Sequence, residues 1–388
     1  MITTSRVSLS APHELLSYVP ALVGFRPSDS LVLVVFRDQS SCGAMRIDLR
    51  PFLNDETIDA ALAAALDSVV RIPRATGVLP VVYTTERCAD GGRIPHENVA
   101  RVLAPAIENR GLAVVDILCV AADAWGSYLD DSCLGHDLAL LEDPQGLPAG
   151  SILDADAELT FPLVDDDAYD AFARATAAIA SDDGDARPER TADDGAYAMD
   201  ESADFLAAMA SYVEEGADVL DAELALIAHV LTVPSIRDVV AYSWAWGIDV
   251  GTHLWNRVFT PEQFTIDSVD DPWMYAFAGR IDVRPDPERL RAAIQLLKRL
   301  CALQHPNDRV PGLTLISWCY WALGLSSFAH AWQRRAVETD GTYGLAIIMG
   351  MILDAGSIPD WAFYDPHELT SASEHAEVPN ADAAGRSI

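Results

Sequence analysis

The first third of the chain alternates between strand-like and helix-like hydrophobic patterns. Ser30–Phe36 (SLVLVVF) is a continuous apolar, β-branched run, the pattern of a strand covered on both faces. Met45–Leu49 (MRIDL) alternates and predicts a short half-buried strand. Gly77–Thr84 (GVLPVVYT) and Ala113–Val120 (AVVDILCV) predict two more, and Pro80 points the first of these to a sheet edge or a bulge. Between them, Asn54 caps a helix that runs to Val70, and His96–Asn109 is a helix stopped by Gly111. A short helix, His13–Val19, precedes Pro20. The order β-β-α-β-α-β predicts an α/β domain: a mixed sheet with helices packed on it.

Residues 121–164 read as irregular hairpins, because Gly, Pro and Asp recur among short apolar runs. Helical periodicity then takes over, with helices over 165–180, 200–214, 217–232, 235–246 and 287–303. The expected organisation is an α/β domain over 1–164, an acidic helical connector over 165–223 with a flexible loop at 181–197, an all-α domain over 224–366 and a disordered tail over 367–388. Val310–Trp332 carries no charge and is long enough to span a bilayer, but Pro311, Gly312, Gly324 and His330 divide it, so a buried helix pair is expected. This last part resembles one tetratricopeptide unit, with Tyr320, Gly324, Ala329 and Ala336 at its small and aromatic positions, Leu313 where tryptophan is usual and Gly341 where proline is usual. A single unit cannot bury its own face.

Charge narrows the range of functions. Among 388 residues, 59 acids oppose 26 bases, for a net charge of −33. That excludes a basic footprint for nucleic acid or an anionic membrane. The excess is regional: residues 121–223 hold 27 acids and 3 bases. Lys298 is the sole lysine, which removes Walker A and kinase chemistry; its ammonium is expected in solvent on an amphipathic helix. None of the six cysteines has CxxC spacing, no Asn-x-Ser/Thr sequon occurs, and the first residues lack a signal-peptide apolar core. A reduced, cytoplasmic setting follows. Gly-x-Gly-x-x-Gly, Gly-x-Ser-x-Gly and His-Glu-x-x-His are missing, so neither a cofactor nor a metal is expected.

The candidate ligand-binding residues are Arg26, Ser28, Asp29 and Ser30 in the turn GFRPSDS, and Arg46 and Asp48 in MRIDL. Arg26 can hold a carboxylate or phosphate bidentately, although the same residues also suit a backbone-bonding turn. This loop leads into its strand, whereas ligand sites of open α/β sheets lie at carboxyl ends. Arg46 and Asp48 share one strand face, and an arginine–carboxylate pair on the sheet surface is the preferred reading. Asp130, Asp131, Cys133, His136 and Asp137 could hold a metal, but no second Cys/His pair follows. Arg237 and Asp238 are adjacent on a helix and should point apart, with the arginine bridging to the sheet domain. Trp244, Trp246, Trp255, Trp318, Trp321 and Trp332 are expected in the core rather than in a ligand cage.

On the segments LSYVPALVGFRPSDSLVLVVF, RIDL, SIRD and LTLISWCYWALGLSSFAHAWQRRAVETDGTYGLAIIMGMILDAGSIP, the chain resembles a domain-of-unknown-function family common in actinobacteria, over most of residues 8–361. The resemblance implies no assigned reaction. Many relatives carry cysteines after Trp-x-Ser-Tyr; here WGSY (Trp125–Tyr128) is followed only by Cys133, with Leu129 or Asp130 at the earlier cysteine position. The leading expectation is a cytoplasmic, non-enzymatic interaction or adaptor protein with a protein partner. The alternative is a small-molecule or nucleotide-binding enzyme with its site in the α/β domain, and the third is an acidic decoy for a nucleic-acid-binding protein.

Overall fold

The computed structural model describes residues 11–89, 93–130, 135–142, 144, 147, 150–182, 199–259 and 271–364. It divides into two compact units between Glu158 and Leu159. The first is an α/β unit built on a six-stranded mixed sheet; the second is mostly helical.

In the first unit, β1 (Ser30–Arg37) lies between β2 (Ser40–Asp48) and β3 (Gly77–Tyr83) and is antiparallel to both. β3 is parallel to β4 (Ala113–Val114) and β5 (Leu118–Val120), and β6 (Trp125–Ser127) closes the order antiparallel to β5. The unbroken apolar run of β1 is explained by cover on both sides. Leu31, Leu33 and Val35 pack under α2 (Ile58–Val70) and α3 (Glu97–Glu108), through Leu62, Leu66, Val99 and Leu103. Val32, Val34 and Phe36 pack against Leu16 and Val19 of α1 (Pro12–Val23). A short helix, α4 (Ala155–Glu158), ends the unit.

Three local expectations are corrected. β3 is central and buried along its length, not an edge strand. Val115 N–H bonds the Val78 carbonyl and Thr84 N–H bonds the Val120 carbonyl, so residues 78, 80, 82 and 84 turn their peptide groups toward β4 and β5. The N–H that Pro80 lacks therefore faces the break between those strands, where it costs no ladder bond. The break itself divides the run 113–120. Asp116 takes the Ile117 N–H (2.7 Å) and the Ser127 hydroxyl (2.6 Å) on its carboxylate, which diverts the backbone from the ladder. Finally, α1 continues through Pro20 to Val23 and ends at Gly24 (φ 85°). Leu16, Val19 and the proline ring are buried, and this anchorage outweighs one lost helical bond.

The helical unit runs through α5 (Asp166–Asp182), α6 (Met199–Glu215), α7 (Asp221–Leu231), α8 (Pro234–Trp246), α9 (Ile248–Phe259), α10 (Pro287–Leu303), α11 (Val310–Ala322), α12 (Ser326–Thr339) and α13 (Gly344–Asp354). Phe172, Leu206, Met209 and Val213 bring α5 and α6 into its core. α11 is buried on nearly every side, which accounts for its lack of charge. Among the described residues no helix is long and apolar enough to cross a membrane. α11 and α12 form a hairpin around Gly324 (φ 82°), and the Ser317 hydroxyl crosses it to the Ala329 carbonyl (2.8 Å). Trp244, Trp318, Trp321 and Trp332 are buried, and Trp246 packs among Tyr242, Trp273, Trp318 and Trp361.

Two charged residues differ from expectation. Lys298 is only 3% exposed. α10 is buried over a wide arc, and the ammonium lies 5.9 Å above the Trp332 ring, where the π-face offsets part of the desolvation. Arg237 and Asp238 do not point apart. The buried Arg237 guanidinium folds back on its neighbour through Nε (2.8 Å) and Nη2 (2.6 Å), and its Nη1 donates to the Tyr343 hydroxyl within the same unit. The long arginine stem permits a bridge that the helical offset of adjacent residues alone would not suggest.

Candidate functional site

The antiparallel pairing of β1 and β3 sets Ser30 opposite Tyr83. The turn that leads into β1 therefore lies at the carboxyl end of β3, beside that of the parallel strand β5. Ligands of open α/β sheets bind outside such ends. The geometric objection raised from sequence, that this loop leads into a strand, is removed by strand direction.

Two of the candidate residues there, Asp29 and Ser30, are held in place by hydrogen bonds. Asp29 adopts a left-handed backbone (φ 43°), and its Oδ1 accepts the Thr85 N–H and hydroxyl, both at 3.0 Å. The Ser30 hydroxyl is buried; it donates to the Ser28 carbonyl (2.6 Å) and accepts from Arg46 Nε (2.6 Å). Arg46 and Asp48 are not hydrogen-bonded to each other in the way the strand spacing suggested. Asp48 instead accepts from the Arg50 backbone N–H (2.9 Å), Nε (3.0 Å) and Nη2 (2.9 Å), because the chain turns after β2 and brings Arg50 back over it. Arg50 holds the Asp48 carboxyl below its ordinary range, whereas burial lowers the Arg46 guanidinium. Arg26 is exposed. It lines a cavity of about 530 Å³ with Leu147, Ser151, Leu153 and Asp154, and its charge partly offsets the burial that pushes the Tyr83 phenol up.

The same sheet end holds residues that sequence reading passed over. Thr84 Oγ1 lies 3.0 Å from His96 Nε2, and the Glu86 carboxylate approaches that nitrogen at 3.8 Å. Like Asp29, His96 has a left-handed backbone (φ 63°). The available signal was position: polar residues directly after two strands share one end when those strands run parallel. After β5, Asp123 accepts the Cys88 N–H (2.9 Å) and pairs with Arg87 (3.2 Å). The backbone bond from Cys88 and the nearby Arg87 hold the Asp123 carboxyl below its usual range, while burial and Asp123 raise the Cys88 thiol.

A carboxylate with a depressed folded-state pKa binds protons more weakly than it does in the unfolded chain. Its stabilisation is full above the ordinary carboxylate pKa and is lost as pH falls through the depressed value. Asp123→Asn is expected to flatten the stability–pH curve in that acid window and leave it parallel to wild type near neutrality. Urea denaturation across pH checks this.

The proposed metal ligands are not gathered. Asp137 caps the following turn at Ala139 N–H (2.9 Å), and the His136 ring packs 4.7 Å from that of Trp125. Asp131 and Cys133 lie outside the described residues. Among the described residues no group of three or more His, Cys, Asp or Glu side chains could hold a metal.

A second feature is the outer face of α13. From Gly344 to Leu353 this helix has no charged side chain. It buries Ala346, Met349, Gly350 and Leu353, yet leaves Ile347, Ile348 and Met351 exposed at 43%, 52% and 68%. These three occupy positions i, i+1 and i+4, so they share one stripe.

The architecture thus defines a protein with an α/β unit, polar at the carboxyl ends of its parallel strands, and a helical unit with an apolar terminal face. The chain belongs to the domain-of-unknown-function family DUF4192, whose model matches residues 12–260. The match covers the sheet unit and continues to α9; α10 to α13 lie beyond it. No curated protein and no solved structure matches the chain.

Proposed function

We propose that this is a cytoplasmic interaction protein whose terminal helix docks a protein partner. One observation carries the reading: α13 carries no charge from Gly344 to Leu353, but among the described residues only one side of it is covered. Isolated exposed apolar residues are ordinary, whereas a stripe on an uncharged helix marks a contact surface. The tetratricopeptide resemblance of the preceding hairpin supports it, since a further helix of such an array packs on this outer face.

The proposed occupant is an amphipathic helix of another protein. Residues 365–388 contain only Leu369, Val378 and Ile388 as large apolar side chains, too few to match the stripe. A second copy would be another chain of net charge −33, and the two would repel as they approach. The enzyme reading has less support. The lining of the cavity beside Arg26 does not include Thr84 or His96, and the Asp154 carboxylate there caps its own turn at Asp156 N–H (2.9 Å). The decoy reading also has less support, because Asp165 in the acidic run is committed to capping α5 at Ala168 N–H (2.8 Å).

Ile348→Glu with Met351→Glu is expected to abolish a stoichiometric complex that wild type forms, at unchanged circular dichroism. Leu163→Glu alters the most exposed large apolar side chain among the described residues, 102% exposed, and should leave the complex intact. Equal loss in both variants, or retention in both, contradicts the proposal.

A further inference from the structure

Four wholly or partly buried arginines of the helical unit are paired with carboxylates: Arg237 with Asp238, Arg257 with Asp271, Arg289 with Glu214 and Arg299 with Asp221. Arg309 and Arg335 are different. Neither forms an ion pair with a carboxylate among the described residues, in a chain where acids outnumber bases by 59 to 26. Instead both converge on one ring. The Arg309 guanidinium lies 5.1 Å from the centre of Phe161 and that of Arg335 lies 6.0 Å from it. Arg335 also sits 4.6 Å over Trp332, whose ring is 5.3 Å from Phe161. The fully buried Trp332 indole N–H has no acceptor in the protein. Arg309 spends one donor, Nε, on the Gln304 carbonyl (3.1 Å).

Phe161, Arg309 and Arg335 line a cavity of about 430 Å³, a size typical of small-molecule sites, with Leu159 and Leu313 on its apolar wall. Aromatic rings flank both guanidinium groups, and a cation–π contact of this kind leaves N–H donors available. Two like charges gathered on one ring, neither of them ion-paired among the described residues, repel one another, and an oxyanion between them would relieve that repulsion. Glu338 also lines the cavity. With two cations and one carboxylate, the site carries a net single positive charge, which suits a monoanion better than a phosphate dianion.

We infer that this cavity binds a small organic monocarboxylate, with its carboxylate held by Arg309 and Arg335 and its apolar body against Phe161, Leu159 and Leu313. The site is separate from the outer face of α13 and does not depend on the partner proposed for it.

Titration calorimetry on the full chain tests this with four probes: phenylacetate, acetate, benzyl alcohol and phenyl phosphate. Phenylacetate should bind saturably and at least about tenfold more tightly than each of the others, since acetate lacks the body, benzyl alcohol the charge and phenyl phosphate the single charge. Arg335→Gln and Arg309→Gln should each weaken phenylacetate by about tenfold or more. Arg335→Lys keeps the charge but loses the planar fork, and should fall between wild type and the glutamine variant. Thermal melts of all variants show whether each is folded. If a glutamine variant melts early, the lysine variant and the four-probe ranking on wild type still decide. No saturable phenylacetate binding, tighter binding of phenyl phosphate, or affinity unchanged in folded glutamine variants overturns the inference.

Discussion

Trp318→Ala is expected to destabilise the helical unit by about 3–5 kcal/mol, the range for removing a buried aromatic side chain from a packed core. Trp318 is 1% exposed. Its ring stacks on Phe277 at 4.5 Å and lies 5.9 Å from Trp246, and its indole N–H donates to the Phe277 carbonyl (3.0 Å). The substitution leaves a cavity and an unpaired carbonyl together. Trp318→Phe separates these contributions: it keeps most of the ring contact and removes the hydrogen bond, so a loss of about 1–2 kcal/mol is expected. Urea denaturation followed by tryptophan fluorescence measures both. Equal loss in the two variants would mean that the hydrogen bond, not the packing, holds α11 in place.

The second large effect lies at the sheet end. Asp29→Ala is expected to cost about 2–3 kcal/mol. An alanine at φ 43° carries the left-handed penalty of about 1–2 kcal/mol, and the Thr85 N–H and hydroxyl lose their carboxylate acceptor, worth a further ~1 kcal/mol at this exposed position. Asp29→Gly removes the same bonds but tolerates the backbone, so it should lose less than the alanine variant. Asp29→Asn keeps an acceptor and accepts the left-handed region, so it should lose least. Alanine and glycine variants of equal stability would show that the backbone conformation contributes nothing and would assign the whole effect to the Thr85 bonds. The ranking thus distinguishes a turn fixed by its torsion angles from one fixed by its carboxylate.

Much of the sheet unit was legible in the chain. The runs at Ser30 and Gly77 each specify a strand buried on both faces, and those strands are β1 and β3. Strand direction was not legible, because no local pattern records that β1 lies antiparallel between two strands. That one fact decides whether Arg26–Ser30 belongs to a ligand-facing end of the sheet. Pro80 misled for the same reason: its meaning depends on which neighbour its nitrogen faces. Asp116 split a run whose hydrophobicity alone predicts one strand, because a single carboxylate recruits both the next N–H and a cross-strand hydroxyl.

The candidate residues separated according to what a side chain can reach. Spacing placed Arg46 and Asp48 on one face, but Asp48 is held by Arg50 and Arg46 by Ser30. Lys298 and Arg237 are buried because long stems find an aromatic face or a neighbouring carboxylate, which periodicity does not encode. The pair Arg309 and Arg335 was invisible for a further reason. Phe161 lies 148 residues before Arg309 and 174 before Arg335, and only the folded helices bring that ring close to both guanidinium groups. The stripe on α13 carries a similar lesson. An uncharged helix reads as buried, and only its neighbours reveal which side is left open.

A photo-reactive side chain at position 348, on the open face of α13, compared with one at Glu56 on the exposed rim of the sheet unit, tests the docking proposal inside the cell. One discrete adduct with a different protein should form from position 348 and be missing from position 56. The same adducts from both positions, or only adducts between two copies of this chain, would contradict it.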